Sequence, residues 1–292
     1  MRSSTPTWVR LARTVALAVI IGVGLVNLIQ AAAHWTLSDA AAYWNAGMRL
    51  RDGEPLYPLL TNVDASEVYR YAPWLAWLAV PVTYLPAQLA GVLWSAVLLG
   101  ASAMALVPLA RARAWLAVVF FAPILVGISA VGNIHPLVIA PLVWTVERRS
   151  GPTWVGVAAS LKIFPILFAL VYLGRREWLR AAVALGVTAV LWAPALLYDL
   201  SNYPIVAGRA VSLYSVPIAY FPVVGIAIGA TLALARTRFG WLTAAVTVTL
   251  ALPRLFVYDV TMVMVGVEPA LRDGAANQAD RRFTNRLASS IE

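Results

Sequence analysis

The sequence predicts an all-α protein in which several helices cross a membrane. Of its 292 residues, 61% are hydrophobic and only 12% are charged, whereas a soluble domain is about half apolar and about a quarter charged. A helix of about 20 apolar residues spans the hydrocarbon core of a bilayer. This composition excludes a soluble enzyme, a disordered chain and a nucleic-acid binder. The uncharged runs long enough to supply such helices are residues 14–38, 71–110, 114–146, 181–198 and 210–235.

Arginine clusters between the apolar runs predict the orientation. Cytoplasmic loops of membrane proteins are enriched in Lys and Arg, so we expect every cluster to be cytoplasmic in a multi-pass protein of the cell membrane. Each stretch between two clusters then crosses the membrane an even number of times. The five clusters are Arg2/Arg10/Arg13, Arg111/Arg113, Arg148/Arg149, Arg175/Arg176/Arg180 and Arg236/Arg238.

Residues 14–110, between the first two arginine clusters, predict one helix that crosses the membrane outward and one that returns. We expect a retained first helix over about 14–33, because no convincing cleavage site of a signal peptide follows it. The returning helix covers about 87–110. Residues 34–86 between them form the first external loop, in which acidic side chains outnumber basic ones.

Within that loop, residues 39–51 predict a short interfacial helix that ends near Gly53. Residues 72–86 are apolar, short and rich in proline, which favours a re-entrant or interfacial segment. In the alternative topology, residues 72–86 and 87–110 both cross, and Arg111 lies outside.

Two later stretches predict broken helices. Residues 114–146 are barely long enough for two crossings, and Gly132-Asn133-Ile134-His135-Pro136 divides them, since proline ends or kinks a helix. Residues 152–173 are long enough for one crossing only, although arginine clusters flank both ends. A turn at Lys162 would make this stretch a broken helix or a re-entrant hairpin with both ends inside.

The remaining runs complete the predicted organisation. Residues 181–198 cross outward and residues 218–235 cross back, around an external loop over 199–217. The membrane domain covers residues 1–267. Residues 268–292 are polar and predict a flexible C-terminal tail.

Charged residues inside apolar stretches are candidates for function, because a charge at the centre of a membrane helix costs about 2.5–3.5 kcal/mol. Lys162 either snorkels from an interfacial turn or holds a phosphate or carboxylate in a pocket. Arg254 and Asp259 are close in sequence, so they either form an ion pair or leave Arg254 to bind an anion.

Asp39 follows the first helix and has two interpretations. It either caps the interfacial helix or serves as an external carboxylate that acts as a general base. His135 follows Asn133 at the predicted helix break, where it is either a hydrogen-bonded turn residue or a catalyst. With no cysteine and two histidines, a Cys-ligated or His-rich metal site is excluded, and no metal or cofactor is expected.

The order of these features resembles glycosyltransferase family 87, a group of polytopic enzymes in the GT-C superfamily. Members carry an acidic residue, a tyrosine and an Ala-Gly pair after the first helix. A Tyr-x-Pro block, a polar helix break, an Arg-Arg turn, a lysine near a proline and a late aspartate follow. Here these positions are Asp39, Tyr43, Ala46-Gly47, Tyr71-Ala72-Pro73, Gly132-Asn133-Ile134-His135, Arg148-Arg149, Lys162-Ile163-Phe164-Pro165 and Tyr258-Asp259.

The resemblance implies a GT-C-like helical bundle in a bacterial, typically actinobacterial, cell membrane. It implies a hexosyltransferase that moves a hexose, typically mannose, from a polyprenyl-phosphate sugar to a lipid or glycan acceptor of the cell envelope, with inversion. Asp39 would be the general base, and Lys162 or Arg254 would bind the donor phosphate. The other implied pocket residues are Tyr43, Tyr71, Asn133, His135 and Asp259.

Two other interpretations stay open. Members of this family are usually longer, so the resemblance also fits a short or truncated member, including an inactive paralogue. An intramembrane lysine and broken helices also fit a membrane transporter or a lipid translocase. No internal repeat supports transport, and transport does not explain the block around Asp39.

Overall fold

The computed structural model of the protein describes residues 37–60, 62, 65–204 and 212–271, together with isolated helical positions between 8 and 29. The predicted first helix over 14–33 therefore lies largely outside the described residues, as do part of the loop over 199–217 and most of the predicted tail. Every regular element within the described ranges is helical, which confirms the all-α prediction for this part of the chain.

The α-helices are α1 (Ala40–Asp52), α2 (Pro73–Ala79), α3 (Ala87–Arg111), α4 (Trp115–Ala130), α5 (His135–Thr145), α6 (Gly151–Leu161), α7 (Ala169–Gly174), α8 (Trp178–Trp192), α9 (Pro217–Leu234) and α10 (Gly240–Ala251). Short 3-10 helices occupy Val80–Tyr84, Phe164–Phe168, Ala193–Leu197, Leu213–Ser215 and Val257–Val263. The chain is again helical over 264–271, so the first residues of the predicted tail are ordered as helix.

Three helical segments are long and apolar enough to cross a membrane: Ala87–Arg111, Trp178–Leu197 and Pro217–Leu234. They match the predicted helices over 87–110, 181–198 and 218–235. Only 6% of the apolar window in Pro217–Leu234 is buried inside the protein. A helix that turns so much apolar surface outward is suited to lipid rather than water, so the structure indicates a membrane protein.

The apolar segment of the predicted external loop is too short to cross. It forms α2 and the 3-10 helix Val80–Tyr84, which together fall well below the length of a bilayer-spanning helix. Both pack against α1. This geometry favours the interfacial or re-entrant interpretation of residues 72–86 over the two-crossing alternative.

The two predicted helix breaks are present. Helices α4 and α5 are separated at Gly132, whose φ of +82° is a left-handed conformation that glycine adopts without strain. Neither helix reaches about 20 residues, the length of a full crossing. The expectation of two full crossings over 114–146 is therefore not met by regular helix.

The second break turns the chain back on itself. Helix α6 ends at Leu161, and Lys162 has an extended backbone with φ −140° and ψ 118°. The hydroxyl of Tyr172 in α7 then donates a hydrogen bond to the carbonyl of Val146 at 2.7 Å. The end of α7 thus lies beside the start of α6, as predicted for a hairpin with its turn at Lys162.

This hairpin brings arginine clusters to one end of the molecule. Arg180 donates to the carbonyl of Arg148 at 2.6 Å, and Arg111 lies against the same tryptophan ring as Arg148. Arg175 donates to the carbonyl of Ala235 at 2.7 Å. Ala235 directly precedes the cluster Arg236/Arg238. We call this region the arginine end, defined by Arg111, Arg113, Arg148, Arg149, Arg175, Arg176, Arg180, Arg236 and Arg238; the cluster Arg2/Arg10/Arg13 lies outside the described residues.

Candidate functional site

The site forms where the start of α1 meets the break between α4 and α5. The backbone N–H of Asp39 donates to the carbonyl of Val131 at 2.9 Å. A Cβ atom at Gly132 would lie 2.6 Å from the Cβ atom of Ala40, so only glycine allows this approach. Trp94 of α3 also donates to the carbonyl of Gly132 at 2.7 Å, which holds the turn in place.

The Asp39 side chain points to this turn rather than to its own helix. Its Oδ2 accepts a hydrogen bond from Nδ2 of Asn133 at 2.6 Å, and it makes no capping hydrogen bond to α1. Oδ1 of Asn133 accepts the backbone N–H of His135 at 3.0 Å, which orients the amide. Asp39 thus stands at the N-cap position of α1, but its side chain does not cap the helix by a hydrogen bond.

The environment of Asp39 changes its acidity. Burial raises the pKa of the Asp39 carboxyl above its usual value, because a buried charge loses hydration. The hydrogen bond from Asn133 and the positive charges of Lys162, Arg70 and Arg254 lower the pKa and offset part of this rise. The net result is a carboxylate that holds a proton more readily than an exposed aspartate.

Lys162 faces partners inside the protein. Its Nζ lies 3.3 Å from Oδ1 of Asp259 and 3.1 Å from Nδ1 of His135. It also lies 4.6 Å from the centroid of the Tyr258 ring. The snorkelling interpretation of Lys162 is therefore wrong, although 17% of its side chain remains exposed and within reach of a ligand.

Asp259 pairs with Lys162 rather than with Arg254. Its carboxylate is 3% exposed, and its second oxygen accepts the backbone N–H of Phe256 at 2.9 Å. The guanidinium carbon of Arg254 lies 4.7 Å from the centroid of the Phe256 ring. The late segment thus contributes both an acid that holds Lys162 and a second cation.

His135 links these groups to the rest of the site. Its side chain is fully buried, and its Nε2 lies 2.9 Å from Oγ1 of Thr261. Because an ammonium can only donate, Nδ1 accepts from Lys162 and Nε2 carries the proton that it donates to Thr261. The imidazole is therefore a neutral bridge, and its ring also packs 4.9 Å from the Tyr258 ring.

Two tyrosines adjoin the carboxylate. The hydroxyl of Tyr43 donates to the hydroxyl of Tyr71 at 3.1 Å, and it accepts the backbone N–H of Ile134 at 3.1 Å. Their ring centroids lie 5.2 Å apart. The tyrosine pair therefore ties α1 and the segment before α2 to the turn that holds Asn133.

The structure thus brings together candidates that are far apart in sequence. The sequence did not single out Arg70 and Thr261, although Arg70 directly precedes the Tyr71-Ala72-Pro73 block. The positive charge of Arg254 acts on Asp39. The predicted residues that form one connected network are Asp39, Tyr43, Tyr71, Asn133, His135, Lys162 and Asp259.

An apolar groove adjoins the site. It has a volume of about 790 Å³ and lies between α1, α2, α3 and α6. Tyr43 and Ile134 belong both to its wall and to the network around Asp39. Most of its other lining residues are apolar or aromatic, including Trp94, Leu137 and Trp154. The volume and the apolar lining of this groove suit a hydrocarbon chain.

Comparison with known proteins gives no match: no family model, no curated protein and no solved structure is similar to this chain. Within the described ranges, no group of three or more His, Cys, Asp or Glu side chains is arranged to hold a metal ion. The chemistry of the site therefore carries the assignment of function.

Proposed function

We propose that the protein is a multi-pass glycosyltransferase of a bacterial cell membrane. It transfers a hexose, in our proposal mannose, from a polyprenyl-phosphate sugar to a hydroxyl of a lipid or glycan acceptor at the outer face. One observation carries the proposal: Asn133 and His135 connect the partly buried carboxylate of Asp39 to Lys162, and the positive charges of Lys162, Arg70 and Arg254 act on it.

Asp39 is suited to act as the general base. Its pKa is raised by burial, which brings its proton affinity closer to that needed to accept a proton at neutral pH. Asn133 holds one carboxylate oxygen at 2.6 Å, while the other is not held by that bond. A single placed base typically contributes 10²–10⁴-fold in rate.

The cations are suited to a phosphate leaving group. Lys162 is fixed by Asp259 and His135, so its ammonium needs little reorganisation when a ligand arrives. Preorganised positive charge stabilises the negative charge that develops on a departing phosphate. The same cations would bind the donor's phosphate before the reaction.

The proposed reaction balances without a metal or a cofactor. Asp39 accepts the proton of the acceptor hydroxyl while that oxygen forms a bond to the anomeric carbon. The bond from this carbon to the phosphate oxygen breaks, and the polyprenyl phosphate leaves with the electron pair. Attack opposite to the leaving group inverts the configuration. The phosphate is a stable anion, so the reaction does not require a strong general acid.

The groove of about 790 Å³ supports a lipid-linked substrate. A polyprenyl or acyl chain in this groove would be shielded from water, which is favourable at roughly 25 cal/mol per Å² of apolar surface. Its head would lie near Tyr43, next to Asp39. The arrangement favours a substrate that enters sideways from the membrane.

The decisive experiment is Asp39→Asn, with transfer from radiolabelled polyprenyl-phosphate mannose measured in membranes. Asparagine keeps the shape but cannot accept the proton, so we expect transfer to fall by roughly 10²-fold or more at a normal membrane level. Asp52→Asn is the matched control, because Asp52 is exposed and pairs with Arg51. It should transfer at the parental rate.

If Asp39→Asn transfers sugar at the parental rate, the base assignment is wrong, and Glu54, Asp64 and Glu67 become the candidates, joined by Asp52 if its variant loses transfer. If the parental protein transfers no sugar but moves a substrate into vesicles, the transporter or translocase interpretation replaces ours. If neither activity is found, the interpretation as an inactive paralogue gains support.

A further inference from the structure

The arginine end contains a groove that the proposed sugar transfer does not use. It has a volume of about 470 Å³ and lies between the last turn of α3, the end of α5 and the helical residues 264–271. Its wall includes Arg111, Arg113 and Arg148 together with Glu147 and Glu268. These residues lie at the opposite end of α3 from Trp94 and the site around Asp39.

Two guanidinium groups converge on one aromatic ring in this groove. The guanidinium carbons of Arg111 and Arg148 lie 5.2 Å and 5.7 Å from the centroid of the Trp144 ring. The indole N–H of Trp144 donates to the carbonyl of Met104 at 2.7 Å, which fixes the ring. Both guanidiniums therefore lie against one ring in the wall of the groove.

Glu147, one of the two acidic residues in the groove wall, pairs with another arginine. It lies 3.8 Å from Arg175 and accepts a hydrogen bond from Trp241 at 3.2 Å. Among the residues that the structure describes, the salt bridges include none to Arg111 or Arg148. Two exposed guanidiniums held on one ring are suited to an anion with several oxygens.

The position of the groove identifies the kind of anion. Arg111 ends α3, a helix long and apolar enough to cross a membrane. When α3 spans a bilayer, the groove lies at the level where lipid headgroups meet the hydrocarbon core. Pro108 and Leu271 add apolar surface beside the guanidiniums. We propose that this groove binds the phosphate of an anionic phospholipid, with its acyl chains along α3.

Native mass spectrometry of the purified full chain, with phosphatidylglycerol or phosphatidylcholine added, tests the proposal. The parental protein should prefer phosphatidylglycerol. The double variant Arg111→Gln/Arg148→Gln removes two charges that attract anionic lipid, so it should lose about 30-fold in affinity for phosphatidylglycerol. Its thermal unfolding temperature shows whether it remains folded.

The matched control is Arg236→Gln/Arg238→Gln, which removes the same charge from the same end but outside the groove. It should keep the preference for phosphatidylglycerol. The variant Arg111→Lys/Arg148→Lys keeps the charge without the planar guanidinium, and it should keep part of the preference.

Three results would overturn the proposal. The first is equal loss in the groove variant and the control, which would mean general attraction by positive charge. The second is a parental protein without preference between the two lipids. The third is displacement of the lipid by an excess of inorganic phosphate, which would mean that the groove takes a free anion.

Discussion

The two ends of α3 carry charge in different ways. Near Trp94, charged side chains from distant segments are partly or fully buried, and each has a defined partner, as in the pair Lys162 and Asp259. Near Arg111, the arginines are mostly exposed and lie against rings, backbone carbonyls or the carboxylates of Glu147 and Glu177. The two positions on this helix lie roughly 25 Å apart, at 1.5 Å per residue.

This difference indicates where function resides. Buried charges are costly and persist only where other interactions compensate them, and such groups cluster at functional sites. Exposed arginines at helix ends are what membrane orientation requires. The end near Trp94, with few and buried charges, is therefore the better candidate for catalysis. The end near Arg111, with many exposed charges, is the better candidate for contact with lipid headgroups.

The largest expected effect is an all-or-none difference in accessibility between the two ends. The protein has no cysteine, so single cysteines can be introduced at the exposed positions Glu54 and Arg149. An impermeant thiol reagent on intact cells should label Glu54→Cys and leave Arg149→Cys unlabelled until the cells are opened. Labelling of Arg149→Cys alone would reverse the proposed orientation.

The second effect compares one ion pair from each end. Asp259→Asn leaves Lys162 without its carboxylate in a buried setting, and we expect the free energy of unfolding to fall by about 3 kcal/mol or more. Glu147→Gln breaks the more exposed pair with Arg175, and it should cost about 1 kcal/mol or less. Thermal unfolding of the purified variants in detergent measures both.

The double variant Lys162→Met/Asp259→Asn completes this test. It should be less destabilised than the sum of its two single variants, because no uncompensated charge remains. Equal losses for Asp259→Asn and Glu147→Gln would show that the two ends do not differ in how they hold charge.

The third effect is a shift in the pH dependence of transfer. Asp39 must be ionised to accept a proton, so the rate should rise with pH through its raised pKa and level off above it. The hydrogen bond from Asn133 lowers this pKa. Asn133→Ala should therefore raise the pKa further and move the rising limb to higher pH.

Asn202→Ala makes the same substitution far from the site in sequence. It should leave the rising limb of the pH profile where it is in the parental protein. A rising limb that does not move in Asn133→Ala would separate Asp39 from the group whose ionisation controls the rate. Initial rates of sugar transfer over a range of pH, compared with a constant membrane level of each variant, provide the measurement.

Much of the secondary structure could be predicted because it depends on local features. The run without charge over 87–110 predicted α3, and the extended residue Lys162 lies where proline and charge interrupt an apolar stretch. The exact extent of α4 and α5 could not be predicted, because their ends depend on how Gly132 packs against Ala40.

The candidate site was predictable as a list of residues but not as an arrangement. The cost of charge in an apolar stretch identified Lys162, Arg254 and Asp259, and the resemblance to a family added Tyr43 and Tyr71. Sequence neighbours suggested that Arg254 and Asp259 pair, but Asp259 pairs with Lys162. Arg70 and Thr261 were missed because no local sequence pattern distinguishes them from other polar residues.

The amino-acid sequence by itself determined the helical class, the apolar spans and the positions of the breaks, since hydropathy and proline act on neighbouring residues. Only the tertiary structure decided that Asp39 accepts from Asn133 and that Lys162 lies between His135 and Asp259. Such contacts join segments that are separated along the chain. Several side chains offer the same chemistry, and the packing of the helices decides which of them meet.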